Sequence, residues 1–199
     1  MRPVEPVVLA GRYVRLEPLG PEHVRLRAIT EGFDFLPDHP EDFDEWFVRA
    51  RASRDPLFFA AVIDDEPVGR ASILRVDREN RVAEIGHILW GPRMRRSPAS
   101  TQAVFLLVDH LFTLGARRVE WKCNSRNEAS KAAAVRFGFT FEGVFRQHMI
   151  VKGENRDTAW FSLLDHEWPQ RRAAVLDWLD PANFDEGRQR QPLQRTGQR

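Results

Sequence analysis

The chain predicts an α/β fold of the α+β or mixed-sandwich type, and three observations carry that prediction. Strand-like and helix-like periods follow the order βααβββ, then α, β, α, β, β, which does not suit a doubly wound parallel sheet. With 42% hydrophobic residues among 199, the chain can bury one good core and fits one domain better than two. From Pro98 to Leu114 the apolar period shifts to three and four, at Val104, Leu107, Val108, Leu111 and Phe112, and Gly115 closes this principal helix.

The other elements follow in chain order. Tyr13 to Leu19 alternates and is expected as a first strand, with Val14 and Leu16 assigned to opposite faces. Gly20-Pro21-Glu22 starts a helix. A second helix is expected from Pro40 to about Ala52, where Phe43, Trp46, Phe47 and Ala50 make one apolar face. Leu57 to Ile63 and Val68 to Val76 flank the polar turn Asp64-Asp65-Glu66-Pro67 and read as an antiparallel hairpin. Val82 to Trp90 is the next strand, and Val119 to Cys123 a short buried one after the long helix. Asn127 caps a further helix that Gly138 stops, and Phe139 to Val151 with Thr158 to Leu164 form a last strand pair. Trp168 to Leu179 is spaced as a terminal helix that packs on the domain or on a partner.

Composition excludes several classes. A formal net charge of +1 gives no field to recruit nucleic acid, although Gly187 to Arg199 is locally basic and expected to be disordered. No secretory signal or membrane-length apolar run is visible, so a soluble, cytoplasmic protein is expected. The single cysteine, Cys123, cannot form an internal disulfide, which suits a reducing compartment. The six histidines contain no His-x-x-x-His pair, so no metal site is expected, and Gly-x-Ser-x-Gly and Gly-x-Gly-x-x-Gly are both absent.

Two segments could carry chemistry. Before the long helix stands Arg95-Arg-Ser-Pro-Ala-Ser-Thr101, with Ser97 at the cap position, Pro98 at the first helical position and free backbone N–H groups beyond. It reads equally as an anion site or as an ordinary capped helix with two solvated arginines. In Val82 to Trp90, Glu84 and His87 interrupt an apolar strand. Each reads as a proton acceptor or as a plain strand residue, Glu84 at the surface and His87 in the core or at its rim.

The stretch Asn127-Glu-Ala-Ser-Lys-Ala-Ala-Ala-Val-Arg-Phe-Gly-Phe139, followed by Thr-Phe-Glu-Gly-Val-Phe-Arg146, resembles the C-terminal signature of the GCN5-related N-acetyltransferases, the GNAT family. The resemblance covers roughly Val8 to Pro169. It implies one acetyltransferase domain over 8–169; beyond it, spacing and composition lead to the expectation of a C-terminal helix over 170–180 and a flexible tail over 181–199. The family fold has a mostly antiparallel central sheet that opens into a V between its fourth and fifth strands, here Val82 to Trp90 and Val119 to Cys123. Gly11 to Pro18 and Arg156 to Trp168 look like the branch that contains the ribosomal-protein alanine and serine N-acetyltransferases.

That resemblance implies acetyl-CoA as cosubstrate and a site assembled from these blocks. The family's pyrophosphate loop corresponds to Arg95, Arg96, Ser97, Ala99, Ser100 and Thr101, with Pro98 replacing a small residue and removing one amide donor. Asn127 and Ser130 would meet the pantetheine arm. The amides of Ile88, Leu89 and Trp90 would polarise the thioester carbonyl, and Glu84, with His87 second, would take the amine proton. A strand bulge usual in the family would rearrange the parity of Glu84, Gly86 and His87. Phe35, Trp46, Glu142, Arg146, His148 and Asp157 fall where the family lines its acceptor side. The general acid is missing: the residue seven after Asn127 is Ala134, and the only tyrosine is Tyr13. Cys123, in a buried strand, is not expected to form an acetyl-enzyme.

An α-amine of pKa near 8 is about 10 to 20% neutral at pH 7, whereas a lysine amine is far below 1%, which favours a protein or peptide N-terminus as acceptor. Small-molecule amines, and a CoA-binding regulatory module without turnover, remain the alternatives. The oligomeric state, including a homodimer, is left open.

Overall fold

A computed structural model describes residues 1–185 and 188–193. Eight strands form one sheet: β1 (Leu9–Ala10), β2 (Arg15–Pro18), β3 (Leu57–Ile63), β4 (Glu66–Asp77), β5 (Val82–Trp90), β6 (Arg118–Asn124), β7 (Thr140–Val151) and β8 (Glu154–Leu164), in the order β1-β2-β3-β4-β5-β6-β8-β7. Every neighbouring pair is antiparallel except β5 with β6. A parallel pair needs a long crossover, and α2 (Pro98–Thr113) supplies it.

The sheet is covered on both faces. On one, Phe59, Ala61, Ile73 and Ile85 pack with Leu107 and Leu111 of α2. On the other, α1 (Phe43–Ala52) buries Phe43, Trp46, Phe47 and Ala50 against Phe58, Ala60 and Val62. Leu57 to Ile63 is therefore a continuous apolar run because β3 is covered on both sides. The β3–β4 turn places Asp64 and Asp65 both at positive φ (52° and 60°), as a two-residue hairpin connection requires.

Three expectations need correcting. Val14 and Leu16 lie in the same core cluster, as the two-residue side-chain period of a strand demands, and not on opposite faces. The helix begun by Pro21 is a 3-10 helix over Pro21–Ala28, and the second helix opens with a 3-10 turn, Pro40–Asp42, before α1. Within the expected flexible tail, the described residues 181–185 and 188–193 carry secondary structure or core packing. After α4 (Trp168–Trp178), a turn at Pro181–Asn183 leads into a small hairpin of β9 (Phe184–Asp185) and β10 (Arg188–Gln189). Phe184 packs against Trp178 and Tyr13 at ring separations of 5.0 and 5.9 Å, and Leu193 is buried in the main core. The rest of that expectation, over 186–187 and 194–199, lies outside the described residues. No helix among the described residues is long and apolar enough to cross a membrane.

Arg171 of α4 ties the C-terminal helix to α3 (Glu128–Arg136). It is 1% exposed, and its guanidinium donates to the carbonyls of Phe137 (2.9 Å) and Arg136, which end α3. Burial pushes its pKa down to about 10. Gly138 makes the approach possible: its φ is +92°, and a Cβ there would stand 2.7 Å from the Arg171 side chain. Charge-assisted bonds to otherwise orphaned helix carbonyls contribute about 1.5–3 kcal/mol. Arg171→Ala should therefore cost about 2–3 kcal/mol, read as a fall of several degrees in Tm. A loss below about 1 kcal/mol would mean that α4 does not depend on this tie.

Candidate active site

The site begins with a bulge. Along the β4–β5 ladder, Arg70 pairs Leu89 and Ser72 pairs Gly86, so His87 and Ile88 stand opposite Ala71 alone, with His87 at φ +49°. Such a bulge bends its strand. The parallel ladder between β5 and β6 runs from Val82↔Arg118 to Ile85↔Trp121 and then stops, so the β6-facing edge of β5 from Gly86 onward has no ladder partner among the described residues. A large groove opens on one side of this gap and a smaller cavity on the other. Gly32, Ile88, Trp121, Asn127 and Ser130 line both.

The groove, about 1240 Å³, runs between the start of α2 and the face of α3. Arg95, Arg96, Ser97, Ser100 and Thr101 line it, whereas the Ala99 side chain is buried in the core. Ser97 occupies the N-cap position but does not cap: its hydroxyl donates to the Met94 carbonyl at 2.8 Å. The first turn of α2 therefore keeps its N–H groups free of a side-chain acceptor, beside arginines, as an anion site requires. Arg95 is tethered to Glu31 (3.1 Å) and to the Trp90 carbonyl (3.1 Å), while Arg96 makes no hydrogen bond or ion pair with any described residue. On the far wall, Asn127 caps α3 by accepting from Ser130 N–H at 3.0 Å, and Ser130 Oγ accepts from the Trp121 indole at 2.9 Å. Ala129, Ala132 and Ala133 leave that wall smooth.

The cavity, about 210 Å³, holds Glu84, His87, Phe35 and His148. The bulge brings Glu84, Gly86 and His87 to one space, as the altered parity implies. Glu84 Oε2 stands 3.0 Å from Lys122 Nζ and 3.5 Å from Arg75 Nε, close ion pairs without hydrogen-bond alignment. Burial pushes the Glu84 carboxyl above its ordinary pKa, and Lys122 and Arg75 pull in the opposite direction. His87 accepts or donates at 2.8 Å to Ser72 Oγ, packs on Phe58, and is driven down to about 4 by burial and then by Arg70. His148 Nδ1 meets Thr158 Oγ1 at 2.9 Å.

Four residues expected on the acceptor side do not line this cavity. Trp46 is a core residue with the Arg70 guanidinium 3.8 Å above its ring. Glu142 is held by Arg118 (2.8 and 2.6 Å) and Ser162 (2.6 Å) at the far end of the sheet. Arg146 is exposed and outside the cavity, and Asp157 is spent on the β7–β8 irregularity, accepting from Gln147 N–H (2.7 Å) and Asn155 (3.0 Å). Ala134 is fully buried in the core and does not line the groove; Tyr13 donates to the Leu179 carbonyl at 3.0 Å, so it supplies no acid there.

The sequence reading missed Lys122, Arg75 and Arg156 in the cavity, and Arg136, Trp178 and Phe184 on the groove. Lys122 had a signal. Arg118, Glu120 and Lys122 alternate with Val119, Trp121 and Cys123, so β6 carries a charged stripe opposite an apolar face. Lys122 is held between Glu84 (3.0 Å) and Glu120 (2.7 Å), over the Trp160 ring at 3.7 Å. Cys123 also lines the cavity, with its thiol pKa raised by burial.

A bulged strand splayed from a parallel neighbour, with an uncapped helix start facing the gap, defines a protein built to hold an extended anionic ligand at a break in its sheet. The chain belongs to the GNAT acetyltransferase family, whose model matches residues 23–139. A GCN5-related N-acetyltransferase from Brucella melitensis is 47% identical, with a TM-score of 0.93 over 96% of this chain and 93% of that one. Two curated Bacillus relatives match about half of this chain. The uncharacterized N-acetyltransferase p20 of Bacillus licheniformis is 35% identical over 52% of this chain, and a Bacillus subtilis protein provisionally named ribosomal N-acetyltransferase YdaF is 33% identical over 53%. The chain spans 58% and 57% of their lengths. The ribosomal L7/L12 acetyltransferase RimL, solved with coenzyme A, shares the fold at 21% identity and TM-score 0.69, over 79% of this chain and 98% of that one.

The His87 environment makes a direct prediction. Its folded pKa of about 4 lies below the usual 6.5, so between those values the unfolded chain binds a proton that the folded one refuses. Stability from this residue is present above pH 6.5 and falls as the pH drops toward 4. In an NMR titration His87 should stay neutral from pH 8 to pH 5; a midpoint near 6.5 would show that the ring is solvated.

Proposed function

We propose that the protein is an acetyl-CoA-dependent N-acetyltransferase acting on a primary amine, with a protein or peptide N-terminal α-amine as acceptor. The observation that carries it is the continuity of the cationic groove with the Glu84 cavity through the gap between β5 and β6. The groove fits the cosubstrate by its chemistry: free N–H groups at the start of α2 with Arg96 for the pyrophosphate, and Asn127 with the alanine wall of α3 for the pantetheine arm. Acetyl-CoA supplies an acetyl group already activated as a thioester.

The remaining work falls to side chains and amides of this chain. Glu84, whose carboxyl burial pushes above its ordinary pKa, takes the proton from the amine. Unpaired N–H groups on β5 between Gly86 and Trp90 stabilise negative charge developing on the carbonyl oxygen. His87, neutral and bonded to Ser72, positions the bulge. Transfer is direct within a ternary complex, since the Cys123 thiol is held protonated by burial. The thiolate leaves without a dedicated acid, as thiol pKa values of about 8.5 allow. A second reading, a CoA-binding module without turnover, is favoured by the buried Ala134 in place of that acid.

Wild-type protein should release CoA thiol with an N-terminal peptide panel. Glu84→Gln should lower turnover at pH 7 by about 10²-fold or more with acetyl-CoA binding intact, and higher pH should restore part of it. Tight acetyl-CoA binding with no thiol release from any amine would establish the module reading instead.

A further inference from the structure

Arg156 is the charged group in the cavity that nothing described so far employs. It sits on β8 opposite Met149 of β7, and both line the cavity. Its Nε is buried without a partner, and its guanidinium makes no hydrogen bond or ion pair with any described residue. The other two cations of the lining are engaged: Lys122 by Glu84 (3.0 Å) and Glu120 (2.7 Å), and Arg75 by Glu84 (3.5 Å). Glu84 is the one carboxylate among the described lining residues, so three cations face one anion that two of them already share. A half-buried guanidinium whose nearest carboxylate is already shared by two other cations is poorly compensated, and a ligand carboxylate would complete it. Burial lowers the Arg156 pKa, and the more distant pull of Cys123 and Glu84 does not offset it.

We propose that this cavity takes an amine carrying a carboxylate a few bonds from its nitrogen, and that Arg156 binds the carboxylate while Glu84 faces the amine. The assignment rests on the acetyl-transfer reading and names its acceptor class. A simple cationic amine meets a wall with excess positive charge, whereas a zwitterion meets both signs in the right places. The guanidinium fork suits a carboxylate because it can donate two parallel bonds. The carboxylate can be that of a free α-amino acid or of an acidic side chain next to a peptide N-terminus.

The test measures binding of two ligand pairs to CoA-saturated protein by calorimetry: serine against serinamide, and a peptide beginning Ser-Glu against one beginning Ser-Gln. Each pair is measured at a pH where both amines are protonated, and the ratio for each pair is compared between wild type, Arg156→Gln and Arg156→Lys, so any remaining difference in amine pKa cancels between proteins. Wild type should prefer the carboxylate member of one pair by about tenfold or more, and that pair identifies the source. Arg156→Gln should reduce the preference to within about twofold, and Arg156→Lys should keep part of it, with acetyl-CoA affinity unchanged in both. No wild-type preference in either pair, a preference that survives in Arg156→Gln, or a loss of acetyl-CoA affinity in that variant would each overturn the assignment. Binding does not require turnover. Preference without acetylation therefore overturns the transferase reading alone, and acetylation without preference overturns this one alone.

Discussion

The parallel ladder between β5 and β6 ends at Ile85 and Trp121, and every functional feature of the molecule depends on that break. A sheet normally satisfies each strand's backbone with its neighbours. Here the bulge at His87 and Ile88 turns β5 away from β6, leaving N–H groups unpaired at mid-sheet. The two openings meet across that break, with Asn127 and Ser130 of the α3 start on their shared border. Without the break the groove and the cavity would be separate surfaces.

Electrostatics then distinguish the two openings. The groove is met by an uncapped helix start and by Arg96, an arrangement suited to phosphate. In the cavity, Lys122 is held by Glu84 and, from outside the lining, by Glu120, and Arg156 is left over. Structural ties on the far side keep these walls in register. Arg171 closes the end of α3, and the hairpin that follows α4 brings Phe184 beside Trp178 at the groove.

Most of the fold was legible because its periods are clean. The three-and-four spacing of Val104, Leu107, Val108 and Leu111 gave α2, and Asp64-Asp65 marked the β3–β4 turn. The structured segment after Trp178 was not, because its order comes from long-range packing of Phe184 on Tyr13 and of Leu193 in the core, and a basic, polar composition conceals that. In the site, the residues that local motifs singled out at the α2 start and the α3 cap line one groove, Ala99 excepted, since a helix start and a helix cap are local features. The acceptor side was harder. Trp46 was already visible as part of an apolar helix face, and Glu142 and Asp157 lie on strands whose outward positions are set by irregular β7–β8 register. Arg156 carries no local signal, because its lack of a partner is a property of the assembled cavity.

On the proposed function, the broken edge of β5 holds the thioester, and the start of α2 the pyrophosphate, of one acetyl-CoA molecule. Amide hydrogen exchange with and without acetyl-CoA, resolved to short peptides, tests it most directly, since exchange reports which N–H groups gain an acceptor. New protection is expected at residues 86–90 and 97–101 together, with both segments responding at the same ligand concentration. Protection at 97–101 with 86–90 unchanged would contradict it, because the thioester would then lie away from the gap.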